Sequence, residues 1–368
     1  MLTQPVLLLD EKKCRQNIEN MVGKAHNANI RLRPHFKTHQ SLEIGRWYRD
    51  YGIEQMTVSS LAMAHRFSAE WKDITVAFPA NILAIDQINE LAARIDLGIV
   101  VSSAYTANFM QRVLTHRVGI WIKIDSGYGR TGLVPGADAA EIDVILGLLD
   151  ATTQRMEFRG FLSHAGHSYN CRSREEIIAV HHLTTHLMKE LKGQYLVHYP
   201  QLQLSVGDTP TCSVAEDFRD IDEIRPGNFI FYDLMQAQIG SSYASQIAVA
   251  LRCPVVAVHP RRSEIVIHGG AVHLARDFIT TPAGLTHYGR LATQNDDGSW
   301  GELIEECYVK SLSQEHGILS VPAEGIELYK PGHVITILPV HSCHTAQAMG
   351  SYTLVENGRH LDRIGMGS

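Results

Sequence analysis

The sequence has no run of about 18 apolar residues, and its opening segment MLTQPVLLLDEKK turns charged after too short an apolar stretch for a signal peptide. A membrane-spanning helix and secretion are therefore not expected, and a cytoplasmic chain is. A basic excess is missing too. The chain carries 33 Lys and Arg against 39 Asp and Glu, a net charge of -6, with no Lys/Arg block, so nucleic acid is not an expected partner. Cysteine is sparse and scattered: Cys14, Cys171, Cys212, Cys253, Cys307 and Cys343 include no CxxC pair. That excludes a disulfide framework as the organising device and predicts reduced thiols, most of them small core residues. Internal repeats, low-complexity tracts and flexible linkers are also absent. What is present is an ordinary globular composition, 368 residues with 45% apolar and 20% charged. That is enough chain for a barrel of about 250 residues and a smaller domain.

From residue 30 to about 233, short β-branched or aromatic runs alternate with longer helical patterns, the rhythm of parallel βα units. The runs are IRLRPHFK, IEQMTVSS, ITVAFPA, LGIVVSS, VGIWIKID, FRGFLSHAG, LQLSVG and NFIFYD. They predict an α/β fold, a (β/α)8 TIM barrel over residues 8–238. The clearest helix between them is SREEIIAVHHLTTHLMKELKG. Ser173 and Glu176 have the spacing of a capping box there, and Ile177, Val180, Leu183, Leu187 and Leu191 form an apolar stripe. From about residue 239 the texture changes to strand-like pieces joined by turns. This predicts an appended, mostly antiparallel β domain over residues 239–368, completed by residues 1–7.

The stretch RPHFKTH, residues 33–39, crowds Arg33, His35, Lys37 and His39 together in an acidic chain. In an extended strand these four share one side, with Leu32, Pro34 and Phe36 on the other. Apolar side chains normally fill a barrel, so a basic row belongs at a strand end, where barrel enzymes keep their chemistry. An isolated lysine, with a pKa of about 10.4, is a poor nucleophile at neutral pH, and neighbouring cations with partial burial disfavour its ammonium form. The same field attracts an anionic cofactor, such as one bearing a phosphate. The plain alternative is an exposed basic strand end with no role.

RPHFKTH resembles the signature of the fold-type III pyridoxal-phosphate enzymes of the D-serine dehydratase and D-threonine aldolase family, relatives of alanine racemase. The likeness runs from about residue 5 to 350 through separate motifs in matching order. It implies that Lys37 is the catalytic lysine bonded to pyridoxal 5'-phosphate, with His35 beside it. IKIDSGYGRTG, residues 122–132, is similar to the family's fifth strand and the loop after it. That likeness implies Arg130 near the cofactor's phenolic oxygen, where a guanidinium stabilises a phenolate. Read alone, the segment is equally an ordinary turn with Asp125 and Gly127 as loop residues. SHAGHSY, residues 163–169, resembles a segment of the dehydratase branch, which implies His164 under or beside the ring and Tyr169 near its nitrogen. SVGDTPT and RPGNFIFYD follow the last two strands, where barrels commonly hold phosphate with backbone amides and hydroxyls. Gly207, Asp208, Thr209, Asn228, Phe229 and Tyr232 are the candidates. The family often has serine where Asp208 stands. An acid turned inward would repel phosphate, so backbone contact is the role expected of Asp208.

LPVHSCHTAQAM, residues 338–349, ends an apolar strand with HSCH. In an extended chain His341 and Cys343 point the same way, and imidazole with thiolate favours Zn2+ over Mg2+ or Ca2+. The pair matches the HxC metal pair of the dehydratase branch, whereas the aldolases usually show a carboxylate there. His344 receives no role from the resemblance. His182 and His186, one turn apart on a helix, have no third ligand or HExxH glutamate and read as surface or interface residues. His268 departs from the family pattern and, with His273, is a candidate for the substrate end of the site. QEHG, residues 314–317, resembles a family segment without an assigned mechanism.

The resemblance thus implies a lyase dependent on pyridoxal phosphate and on Zn2+ or another divalent ion. Its substrate is a D-3-hydroxy amino acid, D-serine first, converted to pyruvate and ammonia. The alternatives are aldolase cleavage of D-threonine type to glycine and an aldehyde, an amino-acid racemase, and a pyridoxal-phosphate carrier or regulatory protein. Carriers of this fold lack the appended β domain and the HxC pair. The resemblance also implies a homodimer.

Overall fold

The computed structural model divides the chain into two compact units, Glu19–Gly227 and Met1–Ile18 with Asn228–Ser368. It describes residues 2–363; Met1 and residues 364–368, which the sequence places in the β domain, lie outside the described residues.

The unit Glu19–Gly227 is built on eight parallel strands. In spatial order they are Arg31–Leu32, Glu223–Ile224, Gln203–Val206, Met156–Ser163, Val118–Ile124, Asp96–Val101, Asp73–Pro79 and Gln55–Val58. A parallel bridge between His35 and Thr57 relates the two end strands. Two backbone bonds of 2.9 Å, from Phe36 N–H to Thr57 O and from Thr57 N–H to Pro34 O, bring the ring close to closure. The strand VGIWIKI shows why the runs are so apolar: all of its residues are buried, as a parallel strand covered on both faces requires. Ser60, Ser103 and Ser173 start helices Leu61–Phe67, Ala104–Val113 and Arg174–Tyr195 by accepting a backbone N–H of the first turn.

The eighth strand is not NFIFYD. Asn228–Ile230 is a 3-10 turn, Tyr232 has a left-handed φ of 46° that a strand does not tolerate, and Glu223–Ile224 takes the eighth place. An apolar run of this length does not separate a strand from a buried turn. A charged residue, Glu223, hides the true strand.

The helix Arg174–Tyr195 also departs in detail from its sequence pattern. Its buried positions are Ile177, His181, Thr184, Thr185, Met188 and Leu191, while Leu183 is exposed. Ser173 accepts the Glu176 N–H at 3.3 Å, but Glu176 reaches back to Arg172 N–H at 2.7 Å, one residue before the cap. The stripe is rotated because His181 bonds the Asp217 carbonyl at 2.7 Å and packs edge-on against Phe218. A bonded imidazole competes well for a buried position.

In the other unit, six strands form a closed antiparallel ring: Val249–His259, Glu264–His268, His316–Ser320, Trp300–Leu312, Gly289–Gln294 and Val334–Pro339, the last pairing with the first. Val6–Leu9 extends the sheet antiparallel to Val249–His259, and Ser351–Leu354 lies parallel beside it. The architecture is therefore the expected barrel with a mostly antiparallel addition. Cys14, Cys171, Cys212, Cys253 and Cys307 are buried thiols. No helix among the described residues is long and apolar enough to cross a membrane.

Candidate active site

The basic row of RPHFKTH does not survive folding. The ladder ends at Leu32 and the chain turns at residues 36–39, so the four groups part company. Arg33 is buried, its Nε donating to Glu223 at 2.7 Å and its Nη1 and Nη2 to Asp73 at 2.5 and 2.9 Å. A buried guanidinium needs such partners to remain charged. His39 sits in an aromatic nest, with its ring centroid 4.4 Å from Phe36 and 5.9 Å from Tyr48. His35 and Lys37 are left at the strand end.

Around them the unit gathers cations. Desolvation drives the pKa of His35 well below its usual value, and Lys37, Arg225, His164 and Arg130 push it further down. His164 is likewise driven down by desolvation and by Lys37, Lys123 and Arg130. Both rings are neutral, and their bonds fix the tautomers. His35 Nδ1 accepts the Lys37 N–H at 3.4 Å, which puts the ring proton on Nε2. His164 donates from Nδ1 to the Gly207 carbonyl at 2.6 Å, which leaves Nε2 as an acceptor.

Sequence reasoning missed two members of this cluster. Lys123 is buried, and burial, with Arg225 and Arg130, lowers its pKa to about 7 against the pull of Asp125. Arg225 is buried as well, donating to Ser205 Oγ at 2.5 Å and to the Ser163 carbonyl at 2.6 Å. Ser205 in turn donates to Glu223 at 2.6 Å, so a polar chain runs from Arg225 to Arg33 through the barrel interior. The signal was a lone cation within the apolar run VGIWIKI and another at the end of the short strand EIR.

The loop DSGYGR is folded around Asp125, whose carboxylate accepts the N–H groups of Gly127, Tyr128 and Gly129. Arg130 lies over the Tyr128 ring, 4.9 Å from its centroid, and Tyr128 meets His164 edge-on. Tyr169 Oη accepts the Thr209 N–H at 3.4 Å. Asp208 is buried. It caps helix Thr209–Val214, accepting the Thr211 N–H, the Thr211 hydroxyl and the Ser168 hydroxyl at 2.8 Å each. Burial raises its pKa to about 6 despite these bonds. Its carboxylate is therefore committed to its own helix start. Gly207 and Gly227 are required by close approach: an added Cβ would lie 2.6 Å from the Arg225 N and 2.8 Å from the His35 O. An apolar cavity of about 400 Å3 in the same unit, lined by Leu61, Val76, Phe78 and Ile99 among others, includes none of the cluster.

In the unit Met1–Ile18 with Asn228–Ser368, Phe229 and Tyr232 are buried and Asn228 turns its amide toward the HSCH segment. Asn228 Nδ2 donates to Asp233 at 2.8 Å, Ser342 Oγ at 3.0 Å and Cys343 Sγ at 3.3 Å. HSCH is not extended. His341 is the N-cap of helix Ser342–Met349 and Cys343 lies in its first turn, so the helix start, not strand alternation, brings the pair together. His341 bonds Asp277 and Cys343; burial disfavours the charged ring, but these partners raise its pKa to about 11. Asp277, His341 and His344 form a group whose possible ligand atoms lie within 4.8 Å of one another.

A second such group is His268, His273 and Glu315. The two Nε2 atoms lie 3.5 and 3.8 Å from Glu315 Oε2. Gly270 N–H donates to His273 Nδ1 at 3.2 Å, so the neutral ring carries its proton on Nε2, toward the carboxylate. That nitrogen then has no lone pair for a metal, while Glu315 stands within 3.8 Å of both rings. QEHG thereby acquires a structural part, with Gly269 N–H also bonded to the Glu315 carbonyl at 2.9 Å. His182 and His186 are exposed.

A near-closed parallel barrel with a lysine among cations at its strand ends, in one chain with an antiparallel β unit, defines an alanine-racemase-like barrel protein. A family model described as "Alanine racemase, N-terminal domain" matches residues 9–234, and the chain belongs to that family. A model described as "Putative serine dehydratase domain" matches residues 248–355. D-serine dehydratase of Dictyostelium discoideum is 29% identical over 388 residues, covering 98% of this chain and 95% of that protein. D-threo-3-hydroxyaspartate dehydratase of Delftia sp. (strain HT23) is 27% identical, covering 95% and 93%. The solved structure of a cysteine-to-alanine mutant of a D-threo-3-hydroxyaspartate dehydratase, in the metal-free form, matches with a TM-score of 0.90 at 25% identity, covering 99% and 98%. The resemblance read from RPHFKTH is borne out.

Proposed function

We propose that the protein is a lyase dependent on pyridoxal phosphate and a divalent metal, and that it eliminates water from D-3-hydroxy amino acids to an enamine that water then hydrolyses to 2-oxo acid and ammonia, D-serine giving pyruvate. The observation that carries this reading is the cluster at Lys37: four basic side chains, Lys37, Lys123, Arg130 and Arg225, gather about two neutral imidazoles. Such a donor set fits a phosphate-bearing aldehyde, because it offers an amine and balances negative charge. The dehydratase names of the relatives support the same chemistry.

Pyridoxal phosphate, when bound, supplies an electron sink that acidifies the Cα–H of an amino acid, and a divalent ion supplies Lewis acidity toward the β-hydroxyl. In this reading Lys37 holds the cofactor and later moves the Cα proton on its Nζ. Arg130 and His164 orient the ring, with His35 beside Lys37, and Tyr169 serves either the ring nitrogen or the Thr209 amide it already meets. Gly207, Asp208 and Thr209 serve the phosphate through their backbone, whereas Asn228, Phe229 and Tyr232, which the sequence grouped with them, belong to the unit that holds Cys343, where the Asn228 amide meets its thiol. His341 and Cys343 hold the metal, with Zn2+ favoured by the imidazole and thiolate donors. Cofactor chemistry belongs to residues 8–238 and the metal to residues 239–368 with 1–7. The active form is a cytoplasmic homodimer that takes a small-molecule D-amino acid.

The test is a product assay on the purified, cofactor-loaded protein with D-serine, D-threonine and D-threo-3-hydroxyaspartate, each with and without chelator. Chelator-sensitive 2-oxo acid and ammonia are expected, and Lys37→Ala loses turnover. Glycine with an aldehyde would transfer the protein to the aldolase reading, and D/L interconversion insensitive to chelator to the racemase reading. Turnover retained by Lys37→Ala would overturn all three.

A further inference from the structure

We infer that Asp277 is the positioning residue of the metal pair: it holds the His341 ring so that Nε2, together with the Cys343 thiolate, meets a single ion. The inference rests on the metal reading above and adds a residue that neither the HxC motif nor the comparisons assign.

Asp277 lies between the short helix Ala271–Leu274 and the strand Ile279–Thr280. Its two carboxylate oxygens are both occupied, Oδ1 by His341 Nδ1 at 3.2 Å and Oδ2 by His344 Nδ1 at 2.7 Å. An ionised carboxylate has no proton to give, so each histidine donates from Nδ1. For His341 this keeps the proton on Nδ1 and makes Nε2 the nitrogen that gives up its proton when an ion binds. The ring also hydrogen-bonds Cys343, and with Nδ1 engaged by Asp277 its other nitrogen is the one that remains for the thiol. The thiol has its own outer partner. Asn228 donates to Sγ at 3.3 Å and is anchored on Asp233, which also accepts the Ser342 N–H at 3.0 Å. The two proposed ligands are thus each braced from behind, the imidazole by a carboxylate and the thiol by an amide.

His344 is separated from this role by its place. Its ring lies 4.1 Å from His341, centroid to centroid, at 35° between planes, and its Nδ1 takes the second Asp277 oxygen. Its side chain is 57% exposed, against 23% for His341. It steadies Asp277 from the solvent side. Asp277 is assigned as a brace and not as a ligand because its Oδ1 takes the Nδ1 proton that orients the His341 ring.

The measurement is Zn2+ affinity and stoichiometry on the pyridoxal-phosphate-loaded protein, by competition with a chromophoric chelator, with Co2+ substitution to record the thiolate-to-cobalt absorption band. Asp277→Asn is expected to weaken Zn2+ binding about 10- to 100-fold while His344→Ala stays within about three-fold of the parent. At saturating Co2+ the Asp277→Asn protein keeps the thiolate band, since Cys343 still binds. Asp277→Glu restores most of the affinity, which a merely structural role would not predict and which keeps the test valid if the asparagine variant folds poorly. Parental affinity in Asp277→Asn overturns the inference, as does a loss in His344→Ala as large as that in His341→Ala. If the parent protein binds no Zn2+ and His341→Ala and Cys343→Ala do not differ from it, the metal reading itself falls and the inference with it.

Discussion

Lys123 illustrates what a single residue can reveal and conceal. It stands in a strand whose every residue is buried, and its pKa of about 7 lies below the value of about 10.4 that an unfolded chain gives lysine. Between those values the unfolded chain binds more protons, so stability gains from Lys123 as pH rises and the gain stops below about 7. The unfolding free energy of the ligand-free protein minus that of Lys123→Met is therefore expected to climb by up to about 1.4 kcal/mol per pH unit between pH 7 and 10. Urea melts across that range check it, and a flat difference would refute the shift. Lys37, Arg130 and His164 stand out in the sequence because they sit in motifs. Lys123 and Arg225 lie inside the segments IKIDSGYGRTG and RPGNFIFYD without standing out, because periodicity marks apolar positions and says nothing about a cation buried among them.

At the level of elements, local chemistry was legible where one or two residues decide it. The Ser173 hydroxyl does accept the Glu176 N–H, and Ser173→Ala is expected to cost about 1 kcal/mol in urea unfolding. A change below a few tenths of that would show the cap to be idle. The buried face of that helix was misread because His181 and Thr184, not Val180 and Leu183, turn inward. The last barrel strand was misread for the complementary reason. Glu223 is tolerated in the interior through Arg31, Arg33 and Ser205, partners on or beside other strands, whereas NFIFY is apolar without being a strand.

For the whole molecule, the expected assembly is a dimer, and sedimentation equilibrium should return twice the chain mass; a monomer at micromolar concentration would remove that part of the proposal. Phe78, Leu83 and Tyr105 are 59%, 90% and 73% exposed in the barrel unit, apolar surface of the kind that a partner chain covers. The sequence by itself determined the alternation of strands and helices and the change of texture near residue 239, because each is written in neighbouring residues, and it offered Lys37 and the HxC pair as candidates through a family resemblance. Only the tertiary structure decided that Arg33 pairs with Glu223 and Asp73, away from the strand end where His35 and Lys37 stand, and that Asp277 stands behind His341. Those pairings join residues 190, 40 and 64 positions apart. The hydrogen bonds and burial that make them depend on which segments the fold brings side by side, which side-chain alternation along one strand does not encode.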